Sequence, residues 1–323
     1  MFCIYDKNEN ISHEIKIDSR EKFYDLKSRI LTKTPLSTYK FNQLYVHVPY
    51  CFFHCNFCVY RGDLLESRSQ IVEYLSELTR EIDHLKSLLG HTIFQSVFVG
   101  GGTVSVLDAK QLEYLISVLH NSFNLDLSNN EFTIELAPHG LSDSKIDILK
   151  PLGVNRITMG VQSLDIDLLK LMNRPPLPEE KLRNIIASIR SKLFGDFNVD
   201  LMVGVHGRNL ENLYSDFKKL SDWGVESIMV YINMEDYRNP SAKEKNLGNI
   251  KIIEQLYSRV ADSYILNDGA GVNEYNRFLS KKRARHPPFN RRYSTNYKDC
   301  DTFCLGIGRQ AKSWTSEMVF YYT

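Results

Sequence analysis

The chain has 323 residues, 43% of them hydrophobic and 24% charged, the make-up of a folded globular protein rather than a disordered one. Forty Lys and Arg against 39 Asp and Glu leave a net charge of +1, which excludes nucleic-acid binding driven by overall charge. With no run of about 18 apolar residues and no basic-then-apolar leader, the expectation is a cytoplasmic protein without a membrane partner.

Residues 1–40 are polar and lysine-rich, with one helical stretch around Glu21–Leu31, and read as an N-terminal extension or lid. Leu44–Val48 reads as a strand stopped by Pro49. Ser69–Leu89 repeats apolar residues at helical spacing. Then follow a strand at Ser96–Val99, a helix at Gln111–Leu119, a strand at Phe132–Leu136 and a helix at Asp143–Leu152, closed by Gly153. Next come a strand at Arg156–Met159, helices at Leu164–Met172 and Glu179–Ser191, and a strand at Val199–Val203. A helix at Asn209–Trp223, a strand at Ser227–Tyr231 and a helix at Lys251–Ser263 complete the series. Residues 277–298 hold eight Lys and Arg and no acid, with Pro287–Pro288 inside, and read as a basic loop before a closing strand at Met318–Tyr322.

Strand followed by helix, repeated about six times between residues 44 and 265, is an α/β pattern and implies a parallel sheet, a complete or partial (β/α) barrel. The division expected is 1–40, a core at 41–265, and 266–323 as a C-terminal segment. Sites in such folds gather at the C-terminal ends of the strands. The cysteines fall after the first strand, Gly100–Gly102 after the second, Glu135 and Pro138 at the end of the third, Gln162 after the fourth and Asp200 within the fifth.

Six cysteines are too few for a disulfide scaffold in a chain of this length. Cys51, Cys55 and Cys58 lie within eight residues, Cys300 and Cys304 form a C-x₃-C pair, and Cys3 is alone. Thiolates hold iron–sulfur clusters or structural zinc. Zinc would recruit His54 or His47 as a further ligand, but structural zinc sites usually pair two knuckles and no second pair is close in sequence. A three-thiolate loop after a strand suits a cubane held at three irons, with the fourth open.

The run Tyr45-Val-His-Val-Pro-Tyr-Cys51-x₃-Cys55-x₂-Cys58 resembles the signature of radical S-adenosylmethionine (SAM) enzymes, and within them the oxygen-independent coproporphyrinogen III oxidase-like branch. The similarity continues through Phe98–Thr103, Ile134–Pro138, Gly153–Ser163, Asn173–Arg174 and Asp200–Gly204 to Leu305–Gly308, in order, over roughly residues 42 to 312. It implies a partial (β/α)6 TIM-like radical SAM barrel with short N- and C-terminal extensions. It also implies a [4Fe–4S] cluster on Cys51, Cys55 and Cys58 and one or two SAM molecules. By motif position Tyr45, Gly100 and Glu135 would serve a first SAM. Phe57, Gly101, Gly102, Gln162, Arg174 and Asp200 would serve a second. Thr103 completes the glycine turn at the methionine end, and Met234 and Lys312 stand where the oxidase also contacts SAM. An electron donor such as flavodoxin or ferredoxin is implied.

Each of these residues has a plainer role when taken alone: a triple glycine is a flexible turn, a strand-end acid a surface charge, and Arg174 a helix-end residue. The free thiols Cys300 and Cys304 are by default small apolar residues. The chain also departs from the branch. Tyr60 stands where the oxidase has a further cysteine, Val104 replaces a proline, and G-[LI]-P-G-Q-T reads Gly204-Val-His206-Gly-Arg208-Asn209. Arg309 and Lys312 enter a run that is otherwise small and apolar, and the branch's C-terminal domain does not follow Met318–Tyr322. These changes point to a kept SAM machinery and a different substrate; the resemblance to members of this layout implies methyl or methylene transfer to an sp² carbon of a specialised metabolite or peptide, and the basic loop suits an anionic substrate. The alternatives are coproporphyrinogen oxidase-like porphyrin chemistry, haem trafficking with a structural cluster, and a zinc-stabilised barrel.

Overall fold

The structure, a computed structural model, describes residues 2–6, 11–17, 19–34, 36–58, 62–89, 91–128, 131–192, 194–205, 208–233, 240–268, 277–281, 301–315 and 317–322. The larger strands in chain order are β1 Phe2–Asp6, β2 Ile11–Ile15, β3 Phe41–Val48, β4 Ser96–Gly101, β5 Phe132–Leu136, β6 Arg156–Gln162 and β7 Asp196–Val203. They continue with β8 Ser227–Ile232, β9 Tyr264–Asp268, β10 Arg277–Lys281, β11 Thr302–Ile307, β12 Lys312–Trp314 and β13 Met318–Tyr322. The helices are α1 Arg20–Lys33, α2 Arg68–Leu89, α3 Ala109–Ser122, α4 Asp143–Leu149, α5 Ile166–Leu171, α6 Glu179–Ser191, α7 Leu210–Asp222 and α8 Pro240–Val260.

All thirteen strands join one sheet in the order β9-β10-β8-β7-β6-β5-β4-β3-β11-β12-β13-β1-β2. The seven from β8 to β11 pair in parallel, and antiparallel strands extend the array on both sides. The six βα units thus form the (β/α)6 radical SAM-type core. The seventh parallel strand, β11, lies on the outer side of β3 and comes from the C-terminal segment.

Two differences from the sequence expectation have local causes. Arg277–Lys281 is a strand, β10, because it supplies the antiparallel partner of β8; the rest of the basic loop lies outside the described residues. Met318–Tyr322 is a strand but not a barrel edge, since it pairs with β12 and β1.

Register and the two-residue period of a strand assign the two faces. Leu44, Val46, Val97, Val99, Ile134, Ile157, Met159, Val199, Leu201, Ile228 and Val230 are buried in the main core, where the helices cover them. In α2, Ile71, Tyr74, Leu75, Leu78, Ile82, Leu85 and Leu89 are buried at helical spacing. The alternate residues face the barrel interior: Tyr45 is level with Phe98, Phe98 with Thr133, Glu135 with Thr158, Thr158 with Asn198, and Gly160 with Asp200. One face of the sheet is therefore apolar and sealed, and the other carries the chemistry.

Helix boundaries follow local signals. Asp108 and Gln111 form a reciprocal capping box at the start of α3, as do Asn209 and Asn212 at α7. Gly224 just after α7, and Gly153 closing the turn that follows α4, have φ of 89° and 87°, a conformation glycine adopts without a Cβ clash.

Candidate functional site

The cysteine loop leaves β3 at Pro49 and folds back on itself. The Asp63 N–H donates to the Pro49 carbonyl at 2.7 Å and the Leu65 N–H to the Cys51 carbonyl at 3.0 Å. Its far side is tied to the end of α5: the Asn56 N–H donates to the Met172 carbonyl at 2.9 Å, and Asn173 Nδ2 to the His54 carbonyl at 2.8 Å. Cys51 and Cys55 are buried and Cys58 is half-buried, all as free thiols. Burial pushes the Cys51 thiol up, opposed by the Gly62 backbone N–H and the Thr103 hydroxyl. Thr103 thus reaches the first thiol.

The glycine turn at the end of β4 backs directly onto this loop. A Cβ on Gly102 would stand 2.6 Å from the Tyr50 carbonyl oxygen and 3.0 Å from Cys51 Sγ. Gly101 has φ of 114°, and its Cβ would meet the Val48 carbonyl oxygen at 2.7 Å. On Gly100 the Cβ would lie 2.7 Å from Glu135 Oε2. The three glycines are required by close approach, beyond what a flexible turn needs.

Two acids, Glu135 on β5 and Asp200 on β7, stand on the interior face of the barrel. Burial and the charge of Asp200 push Glu135 up to about 7, against the Gly101 N–H and Arg174. Burial pushes Asp200 up to about 6, against Arg156 and bonds from Asn198 and Thr158; Asn198 Nδ2 donates to Asp200 Oδ1 at 2.6 Å. Arg174 is buried, with Nη1 donating toward Cys55 Sγ at 3.4 Å, Nη2 donating to the Gly160 carbonyl, and its plane 5.5 Å from the Phe53 ring centroid.

Gln162 is buried with a φ of 73°, and its side-chain Oε1 has no partner among the described residues. The Tyr45 hydroxyl meets His47 Nδ1 at 2.8 Å; His47 is buried, which lowers it to about 4, and its Nε2 has no partner among the described residues either. Phe57 packs against Leu169, Met172 and Met202 together with Tyr231, forming an apolar wall beside the loop. Lys312 stands on β12 with its ammonium 5.0 Å from the Tyr321 ring centroid, in the cluster that includes Tyr45. Met234 and Cys300 lie outside the described residues.

The donor set distinguishes the two metal readings. Among the described residues no three His, Cys, Asp or Glu side chains are gathered as a single-ion site. His54 Nε2 bonds the Gly62 carbonyl at 2.7 Å and His47 Nδ1 meets the Tyr45 hydroxyl at 2.8 Å, and among the described residues neither histidine is gathered with the three cysteines. Three thiols along one loop, with the Gly62 N–H and the Thr103 hydroxyl at Cys51 and the Arg174 guanidinium at Cys55, fit a cubane held by three thiolates.

Sequence reasoning missed how Arg208 and Arg309 are used. Arg208 Nη1 donates to the Gln162 carbonyl at 2.8 Å and Nη2 to Asp216 at 2.8 Å. Arg309 pairs with Glu77 at 2.8 Å and reaches the Tyr50 hydroxyl at 3.2 Å, beside Cys51. Both arginines stand out in sequence only as departures from the motif, and their acidic partners lie on separate helices.

The radical SAM superfamily model matches residues 45–220. Over 164 residues the chain is 34% identical to the oxygen-independent coproporphyrinogen III oxidase of Pseudomonas aeruginosa, covering 50% of this chain and 35% of that protein. Over 190 residues it is 30% identical to the heme chaperone HemW of Bacillus subtilis, covering 58% of this chain and 49% of that one. These matches thus span between a third and a half of the relatives' own lengths. Coproporphyrinogen III oxidase HemN from Escherichia coli, a solved radical SAM enzyme, superposes with a TM-score of 0.71 at 22% identity, over 93% of this chain and 69% of that one, so the two share a fold. No helix among the described residues is long and apolar enough to cross a membrane.

Proposed function

The chain belongs to the radical SAM superfamily, in its coproporphyrinogen oxidase-like branch, and on that premise we propose that Cys51, Cys55 and Cys58 hold the family's [4Fe–4S] cluster over the barrel interior with SAM beside it. When bound and reduced, this pair of cofactors supplies a 5′-deoxyadenosyl radical that abstracts hydrogen. The protein's own residues bind, orient and exclude water. Gly100–Gly102 bring backbone close to the SAM methionine portion, and Glu135, whose carboxyl stands against Gly100, accepts from the ammonium or a ribose hydroxyl. Asp200 within β7, Gln162 at the end of β6 and Arg174 just after α5 offer an acid, an amide oxygen and a guanidinium, fit for a second SAM or for an anionic group of the substrate. Phe57, Met172, Met202 and Tyr231 form the apolar wall against which a flat substrate would lie.

The observation that carries this reading is the convergence of the thiol loop, the glycine turn and the Glu135–Asp200 pair at the C-terminal ends of β3 to β7. For the substrate, the names of the curated relatives favour a tetrapyrrole over methyl transfer to a specialised metabolite. Oxidation of a coproporphyrinogen-type substrate is the first reading, and haem binding, named in the HemW relatives, is the second. A flavodoxin or ferredoxin is the proposed electron donor.

The test is anaerobic reconstitution followed by incubation with SAM and dithionite. Formation of 5′-deoxyadenosine, raised by coproporphyrinogen III with loss of carbon dioxide, supports the first reading. Stoichiometric haem binding with no effect of coproporphyrinogen supports the second. Transfer of label from methyl-labelled SAM into a product would return the assignment to methylation. Protein that takes up no iron sinks all three.

A further inference from the structure

Gln162 ends β6 in a backbone conformation uncommon for a residue with a side chain, φ 73°, just after a register shift between Gly160 and Gln162. Its carbonyl oxygen accepts from Arg208 Nη1 at 2.8 Å. The other arm of that guanidinium donates to Asp216 Oδ2 at 2.8 Å. The same carboxylate oxygen accepts from Ser163 Oγ at 2.7 Å and from the Leu164 N–H at 3.0 Å. Residues 162, 163 and 164 are therefore each fastened to one ion pair. The Arg208 side chain is 0% exposed and that of Asp216 7%.

Burying two charges is expensive, and well-packed apolar residues often stabilise as well. What the pair adds is direction: a planar fork that bridges two acceptors and fixes the angle between them. The residue so fixed carries a buried side-chain oxygen with no partner among the described residues, and the other end of its amide lies 3.0 Å from where a Cβ on Gly160 would stand. Arg174 Nη2 is 3.8 Å from that same point, and Arg174 also reaches Cys55. The Gln162 amide and Arg174 thus flank Gly160 together, and Arg174 links that point to the cysteine loop.

We propose that Arg208, paired with Asp216, is a positioning residue for SAM: it holds the Gln162 amide so that Oε1 receives a ribose hydroxyl or ammonium of the nucleotide. This role rests on SAM occupying the cavity beside the thiols. The experiment measures SAM binding to the anaerobically reconstituted full chain without reductant, so that no cleavage occurs. Arg208→Lys keeps the charge but cannot bridge both acceptors, and the pair Arg208→Gln with Asp216→Asn removes both charges together. Each is expected to weaken SAM binding about tenfold, the loss of roughly one aligned hydrogen bond, with iron content and the visible spectrum unchanged. In a Gln162→Ala background, itself weakened, neither is expected to cause further loss.

A full additional loss in that background overturns the proposal, as does wild-type affinity in both altered proteins or loss of iron in step with SAM. Wild-type protein that loads iron yet binds no SAM overturns the nucleotide reading and this role with it. Wild-type protein that binds SAM while Gln162→Ala changes nothing overturns the role alone.

Discussion

The guanidinium of Arg174 donates toward the sulfur of Cys55 across 3.4 Å, while its second arm holds the Gly160 carbonyl. This contact joins the end of α5 to the cysteine loop and sets a fixed positive charge against a sulfur that must be a thiolate to bind iron. Replacing Arg174 by Gln is expected to lower the reduction potential of the reconstituted cluster by tens of millivolts, equivalent to ~1 kcal/mol of lost charge stabilisation. A redox titration followed by electron paramagnetic resonance measures it; an unchanged potential would assign Arg174 to substrate or SAM alone.

Gly102 leaves no room for a side chain between the Tyr50 carbonyl and Cys51 Sγ. Gly102→Ala should displace the first thiol and cut bound iron to a small fraction of the wild-type value, as should Cys51→Ala. Iron and sulfide analysis after anaerobic reconstitution checks both. Retention of a full cluster in Gly102→Ala would mean that the loop is softer than its packing indicates.

Glu135 has its carboxyl pushed up to about 7, chiefly by burial and then by Asp200. A raised acid favours the folded, ligand-free protein below its unfolded value, and this contribution disappears as pH rises through about 7. Ligand-free Glu135→Gln should therefore gain stability over wild type between pH 5 and pH 8, by roughly 2 kcal/mol, visible in parallel thermal melts. A cationic ligand needs the ionised carboxylate, so SAM affinity of the wild type should fall as pH drops from 8 to 6. The Gln variant should bind weakly and without that slope.

Lys27 on α1 and Glu81 on α2 form a buried pair at 2.6 Å, their side chains 2% and 3% exposed. Lys27 also donates to the Gly306 carbonyl, and Glu81 accepts from the Gly308 N–H at 2.9 Å. Lys27→Met leaves Glu81 charged and unpaired, and should destabilise by about 3 kcal/mol, measured by denaturant unfolding. The double change Lys27→Met with Glu81→Leu should recover most of that loss.

Much of this architecture was legible in the sequence because its signals are local. Glu179–Ser191 is helical at the residues its spacing marks, and Phe132–Leu136 a strand at the residues its apolar run marks. The helix expected at Lys251–Ser263 instead starts at Pro240, because its first turns are polar and contain Gly248, so no apolar period announces them. α4 stops at Leu149, three residues short of the expected end, with a turn between it and Gly153. The thiols stand out by spacing alone, and the glycines by their place after a strand together with the family resemblance. The Arg208–Asp216 pair and the placement of Thr302–Ile307 next to β3 do not, since both are matters of tertiary pairing that local pattern leaves open.

That placement of Thr302–Ile307 has a practical corollary for dissecting the molecule. β3 delivers the cysteine loop, and its outer flank is covered by a segment some 260 positions downstream, from Phe41 opposite Thr302 to Val46 opposite Ile307. A truncation product ending near residue 265 would keep all three loop thiols yet leave their supporting strand with a raw, unpaired border, inviting strand-to-strand aggregation. Miniaturised versions of this protein should therefore retain the distal β11 segment, grafted or supplied as a separate peptide.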